Sequence, residues 1–198
     1  MAHIGVGVAS ALVLVHPTSV EDCVAVAIGA AAGSIICDVD IRSGRMQRDA
    51  FRGRMAVLVL ISGFIVYDAL HGGAFLTTVV SRFGTQAVSG ITAFVATCVL
   101  GALMPHRTFA HSLVGMGCWC WSLSLVLPQL LRPFAVGVAS HLLLDLTNHK
   151  GLQLFWPLSP KMCLGLWRSS GLVNALLSVA APAVALLLFS LRMMQLGA

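Results

Sequence analysis

Hydrophobic positions along this chain fall into long runs broken by short polar clusters. Two of the runs, Phe83 to Pro105 and Ser112 to Leu131, carry no charge and are each long enough to cross a bilayer, for which about 20 apolar residues suffice. Between them lies His106-Arg107-Thr108-Phe109-Ala110-His111-Ser112, where one predicted membrane helix ends and the next begins. The other runs predict helices of the same kind. Ile4 to Val15 would reach only about 18 Å at 1.5 Å per residue and stops at His16-Pro17-Thr18. Glu21 and Asp22 then mark the first turn of a second run, Cys23 to Cys37, so the two form a tight helical hairpin whose open end brings His3 near Asp38. A third segment begins at Met55 to Tyr67 and extends toward Gly72-Gly73. A fourth covers roughly Ala87 to Met104 after a break at Ser81-Arg82-Phe83-Gly84, and a fifth about Ser112 to Leu127. Pro133 opens a sixth that runs through His141 and Asp145 to Asn148, and the last spans about Gly171 to Leu191. The expected fold is an all-α, polytopic transmembrane bundle of six or seven segments, with residues 1–198 as a single domain.

Composition agrees and excludes the soluble classes. The chain is 58% hydrophobic and 10% charged, with a mean hydropathy of +0.93. A soluble domain carries roughly 25% charged residues to solvate its surface. The early apolar run has no basic stretch before it, so an uncleaved first helix is expected rather than a signal peptide. The six cysteines form no Cys-x-x-Cys pair and lie mostly in apolar runs, where a free thiol behaves as a small hydrophobe.

The net charge of +5 rests on 12 Lys and Arg, and in a membrane chain such an excess reads first as topology. Seven alternating segments put 38–54, 105–111 and 149–170 on the face of the N-terminus. That face then holds Arg42, Arg45, Arg48, Arg52, Arg54, Arg107, Lys150, Lys161 and Arg168, against Arg82, Arg132 and Arg192 on the other. The positive-inside rule therefore places the N-terminus in the cytoplasm. The arginine-rich stretch 42–54 reads as a topology-setting loop, with lipid head-group contact as a secondary role. No soluble basic face or stacking aromatics near the arginines suggests nucleic acid as a partner; the expected partners are membrane lipids.

The same alternation gathers His3, Asp38, Asp40, His106, His111, His141 and Asp145 toward that one face. His141 and Asp145 stand four residues apart, one above the other on a helix. Ionisable residues in a membrane segment are costly and mark function. Asp38 and Asp40, if extended, point the same way. Mixed with imidazole, such carboxylates suit Mg, Mn, Fe or Zn. Pro105 suggests a loop carrying His106 and Arg107 into a helical turn, so that His111 binds metal while His106 and Arg107 approach a substrate from above. Arg107 would recognise phosphate or carboxylate. Asp68 and His71 form a separate pair toward the opposite face, and His16 and His149 read as loop residues.

These blocks resemble the YdjM-like family of membrane-bound, predicted metal-dependent hydrolases. The family pattern is an N-terminal His, Pro-Asp-x-Asp-His, His-Arg-Gly-x-Thr-His-Ser, then His-x-x-x-Asp with a Gly six residues on and a Trp-Pro. Here the counterparts are His3, Cys37-Asp38-Val39-Asp40-Ile41, His106 through Ser112, His141 through Asp145, Gly151 and Trp156-Pro157. Cys37, Ile41, Thr108 and Ala110 depart from the pattern, and Asn148 stands where threonine is usual. The resemblance implies a helical membrane protein with a His/Asp metal site.

The expected function is hydrolysis by metal-activated water at the cytoplasmic face of the inner membrane, on a lipid or lipid-linked ester. His111, His141, Asp145 and Asp38 are the first expected ligands of a divalent metal ion, with His3 and Asp40 completing one or two sites. His106 is the candidate acid/base and Arg107 the candidate anion clamp. The alternative is a transporter or metal-handling protein using the same cluster.

Overall fold

The computed structural model describes residues 2–41, 67, 70–158, 160–168 and 171–197. Arg42 to Arg54, most of the third predicted segment and Asp68 lie outside the described residues. Among the described residues the chain is all-helical, as the hydrophobic runs predict. The helices are α1 (Ala2–Leu14), α2 (Val20–Ile36), α3 (Ala74–Phe83), α4 (Thr85–Leu103), α5 (Leu113–Val126), α6 (Leu131–Thr147) and α7 (Leu172–Gly197). Short 3-10 turns occupy Cys37–Asp40, Phe109–His111 and Pro128–Leu130. Four helical stretches among the described residues, Val20–Asp40, Thr85–Leu103, Pro128–Thr147 and Leu172–Gly197, are long and apolar enough to cross a membrane. α1 and α5 are apolar but short, with 13 and 14 residues. At 1.5 Å per residue each reaches about 20 Å, less than the ~30 Å hydrocarbon core.

Local chemistry explains several boundaries. Ser19 caps α2, its Oγ accepting from the Asp22 N–H, while Asp22 Oδ2 accepts from the Thr18 N–H. Reciprocal capping of this kind, with acids in the first turn, suits the positive end of the helix dipole. α3 was not foreseen: its ten residues mix Thr, Ser and Arg with apolar positions and make no long run. Gly84, at φ 81, separates it from α4 where the sequence places a break.

α2 and α6 cross at the centre, α1 packs on both, the α4–α5 hairpin lies to one side and α7 lies along α1 on the other. Lipid chains are as apolar as the side chains, so membrane helices associate through close packing at small residues. A Cβ at Gly33 would collide with the Phe134 carbonyl, and one at Gly137 with the Ala30 carbonyl. Gly7 of α1 likewise faces the Ser34 hydroxyl. Toward the α4–α5 hairpin, buried Cys37, Ala110, Trp119, Phe134, Val138 and Leu142 form one apolar cluster; Ala11, Leu12, Cys23, Val26 and Ala30 form another between α1 and α2.

The N-terminus of α1, the turn after α2, the α4–α5 connection and the C-terminus of α6 meet at one end of this bundle. The 148–168 loop folds over that end: the Gln153 N–H donates to Arg107 O, Leu113 N–H to Leu154 O and Leu164 N–H to Leu146 O. Gly151 turns it at φ 62, where an added Cβ would press on the Met162 carbonyl.

Candidate metal centre

His141 is placed by helix packing. Its Nδ1 lies 2.7 Å from the backbone carbonyl of Ser34, in the last turn of α2. Carbonyls there have no partner within their own helix, and the glycine crossing brings α6 close enough to supply one. A carbonyl only accepts, so Nδ1 carries the proton and Nε2 is left as a bare lone pair.

His111 arrives on the 3-10 turn Phe109–His111, which Ser112 closes: its Oγ donates to Phe109 O at 2.7 Å and accepts from the Gly115 N–H, capping α5. The fully buried His111 ring puts Nδ1 3.2 Å from Asp40 Oδ2, at ion-pair distance but outside hydrogen-bond alignment. Its Nε2 lies 3.3 Å from His141 Nε2 and 3.3 Å from Asp145 Oδ2. His141 Nε2 lies 3.7 Å from both Asp145 Oδ2 and Asp38 Oδ1, and His111 Nε2 is 4.0 Å from Asp38 Oδ1.

Asp38 and Asp40 do not share a direction, and here the extended geometry expected from sequence is corrected. Cys37–Asp40 is a 3-10 turn, in which residues two apart point about 120° away from each other at three residues per turn. Asp38 therefore takes the Nε2 side of His111 and Asp40 the Nδ1 side. Asp40, fully buried, accepts from His106 Nδ1 at 2.6 Å and from the Arg107 N–H at 3.1 Å.

Arg107 is buried rather than facing outward. Its Nη2 donates to Asp145 Oδ1 at 2.7 Å and its Nη1 to the Gly151 carbonyl at 3.3 Å. Its φ of 65 is unusual for a residue with a side chain and costs about 1–2 kcal/mol. The hydrogen bonds from its backbone and guanidinium offset that cost. His106 is the opposite case, with a side chain 44% exposed while its Nδ1 is held by Asp40. His3 lies against His141 with ring centroids 4.3 Å apart and the rings tilted by 36°, its Nε2 buried without a hydrogen-bond partner 3.6 Å from Asp145 Oδ1.

This geometry passes a test for metal. A tetrahedral site with metal–nitrogen bonds of 2.0–2.1 Å needs donors about 3.3–3.4 Å apart. His111 Nε2 and His141 Nε2 form one triangle with Asp145 Oδ2 at 3.3 to 3.7 Å and a second with Asp38 Oδ1 at 3.3 to 4.0 Å. Two imidazole lone pairs facing each other beside carboxylates repel unless a cation, metal or proton, lies among them. Burial pulls the His111 pKa down, but the carboxylates of Asp145 and Asp40 more than offset it, and the value is raised to about 9. A proton thus competes for the place.

The chain matches the YdjM inner membrane protein family over residues 1–197. It belongs to that family. A relative, the uncharacterized protein YvsG of Bacillus subtilis, is 31% identical over 89 residues, 44% of this chain and 56% of YvsG. The chain thus spans little more than half the length of that curated relative. No solved structure matches. As a YdjM family member the chain has departures that the structure locates. Cys37 and Ala110 are buried in the apolar cluster. The Thr108 hydroxyl donates to Pro105 O, tying the turn before His111. The Ile41 N–H closes the Asp38 turn on its carbonyl.

All eight sequence-predicted positions, His3, Asp38, Asp40, His106, Arg107, His111, His141 and Asp145, meet at this one end of the bundle. They divide into the His111–His141 pair with Asp145 and Asp38 each within 4.0 Å of it, and Asp40, His106, Arg107 and His3 around these. Sequence reasoning missed Ser34, whose contribution is a main-chain carbonyl that any residue could supply. It also missed Asn174 and Ser178, which border the cavity beside Asp145. Their four-residue spacing in an apolar run was a readable signal. His71 lies apart, its Nδ1 on the Tyr67 carbonyl at 2.8 Å.

Proposed function

We propose that this protein is a metal-dependent hydrolase of the inner membrane, with its site at the cytoplasmic interface and a lipid or lipid-linked ester as substrate. The observation that carries the reading is the 3.3 Å approach of His111 Nε2 to His141 Nε2 beside Asp145 Oδ2 and Asp38 Oδ1. Two imidazoles and two carboxylates suit zinc, manganese or iron better than magnesium, which prefers an all-oxygen octahedron. Bound there, such an ion would polarise a substrate oxygen and lower the pKa of a water toward neutrality.

The chain's own residues supply the rest. His106 gives Nδ1–H to Asp40, which leaves its Nε2 as the basic nitrogen on a half-exposed ring, suited to take a proton from water and return it to the leaving oxygen. Asp40 orients both His106 and His111. Arg107 acts first on Asp145, neutralising Oδ1 and directing Oδ2 toward the two histidines. The charge count across the seven segments supports a cytoplasmic site. Ligands gathered at one end of the bundle support hydrolysis over transport, which would need a polar path continuing toward Asp68 and His71.

The test is metal analysis of the purified protein followed by zinc titration at several pH values. About one tightly bound ion per chain is expected, removable by chelator together with any lipid-ester hydrolysis. Metal must displace a proton from His111, whose raised pKa of about 9 favours the charged ring below that value. Apparent affinity should therefore climb about tenfold per pH unit between roughly pH 6 and 8. For the protein without metal the sign is opposite: the stability His111⁺ contributes is full below an unfolded pKa of ~6.5 and is lost as pH rises through about 9. A protein that binds no metal and loses nothing on chelation sinks the reading.

Asp40→Asn keeps all four converging donors but weakens the orientation of His111 and His106. Metal affinity should fall by about 10–100-fold, as for other partners of ligating histidines. An unchanged dissociation constant would remove Asp40 from this role.

A further inference from the structure

A cavity of about 170 Å³ opens beside the metal centre between α1 and α7. Its polar lining is His3, Arg107, Asp145, Asn148, Asn174 and Ser178. An apolar groove of about 410 Å³ is lined by Ile4, Gly5, Val8, Pro182, Leu186 and Phe189. The two belong to one seam. On α1 the lining passes from Ala2 and His3 to Ile4, Gly5 and Val8; on α7 it passes along Asn174, Ser178, Pro182 and Leu186. Residues four apart lie about 40° round from one another at 3.6 residues per turn, so this row winds along α7 from the polar cavity into the groove. From Asn174 to Leu186 it covers about 18 Å at 1.5 Å per residue, close to half the ~30 Å hydrocarbon core.

We propose that this seam is a lipid-binding subsite: one acyl chain lies in the groove between α1 and α7, and its ester or phosphoester head sits in the polar cavity beside Asp145. The proposal rests on the hydrolase reading for the fate of the head, though not for the seating of the chain. A polar chamber followed by an apolar trough matches an amphipath in order, and the row that joins them is about one leaflet deep. A small water-soluble substrate would leave the groove without use. Because the groove faces outward between two helices, the lipid enters sideways from its own leaflet, and the scissile group is delivered to the His/Asp cluster without leaving the membrane.

The test uses the full chain in phosphatidylcholine vesicles doped with a phosphatidylcholine that carries a photoreactive diazirine in its acyl chain. Crosslinked residues are mapped by mass spectrometry. Labelling should concentrate on Ile4, Val8, Pro182, Leu186 and Phe189, several-fold above Ile28 of α2 and Leu143 of α6, which are as exposed as most of these or more so. Leu186→Trp fills the groove from an exposed rim position and should cut that labelling several-fold, whereas Leu187→Trp on the neighbouring outward face should not. Even labelling over all apolar faces, or labelling indifferent to Leu186→Trp, overturns the subsite and leaves only bulk lipid. Crosslinking needs no turnover, so a labelled groove without metal-dependent hydrolysis counts against the hydrolase reading alone. Hydrolysis with even labelling counts against the groove alone.

Discussion

Asp145→Asn is expected to leave a protein that binds no metal and unfolds far more easily. The amide keeps the size of the carboxylate but loses its charge, and three contacts fail together. With the amide's one oxygen held by Arg107 Nη2, its NH2, which has no lone pair for a metal, replaces the oxygen 3.3 and 3.7 Å from His111 Nε2 and His141 Nε2. Arg107 loses the counter-ion at 2.7 Å while its guanidinium stays buried. An uncompensated buried charge typically costs about 3–5 kcal/mol. Metal content should drop from about one ion per chain to near none, with hydrolysis falling by roughly three orders of magnitude or more if the ion activates water. Pairing Asp145→Asn with Arg107→Leu separates the two effects. Removing the orphaned charge should restore much of the thermal stability and none of the metal binding. Full metal content in the single variant would show that Asp145 is not a ligand.

Gly137→Leu should have the second-largest effect, although Gly137 touches no ligand atom. Its missing side chain lets α6 approach α2 until a Cβ would strike the Ala30 carbonyl. Overpacking usually costs about 1–3 kcal/mol, and here the obstacle is backbone, which cannot move aside by changing rotamer. The helices must separate, and the 2.7 Å bond from His141 Nδ1 to Ser34 O breaks with them. The expected result is a lower melting temperature in detergent and weakened zinc binding, measured on the same preparation. Gly117→Leu is the control: its added side chain meets open space, and neither quantity should move. Equal behaviour of the two variants would overturn the account of how His141 is positioned.

Much of the site was legible because burying ionisable groups in an apolar chain is costly, so the few His and Asp residues within it stand out. The i,i+4 spacing of His141 and Asp145 and the breaks at Pro105 and Gly84 were readable for the same reason: each rests on contacts within a few residues. Directions were harder to read. Whether Cys37–Asp40 is extended or a 3-10 turn depends on what packs around it, and that choice sends Asp38 and Asp40 to opposite sides of His111. Arg107 looked like a group waiting for substrate; only the fold shows its guanidinium turned onto Asp145 and Gly151. α3 escaped because a ten-residue mixed helix carries no long apolar run.

The sequence by itself determined the class of molecule, the all-helical architecture and the small set of residues able to hold a metal, because hydrophobic run length and the rarity of buried charge are properties of the chain alone. The tertiary structure decided which of those residues face one another. Ligand geometry depends on donor separations of a few ångströms between α1, α2, the α4–α5 connection and α6, and such distances arise only when helices meet. The same holds for the cavity and the groove between α1 and α7, whose linings come from both helices and exist only when the two are packed together.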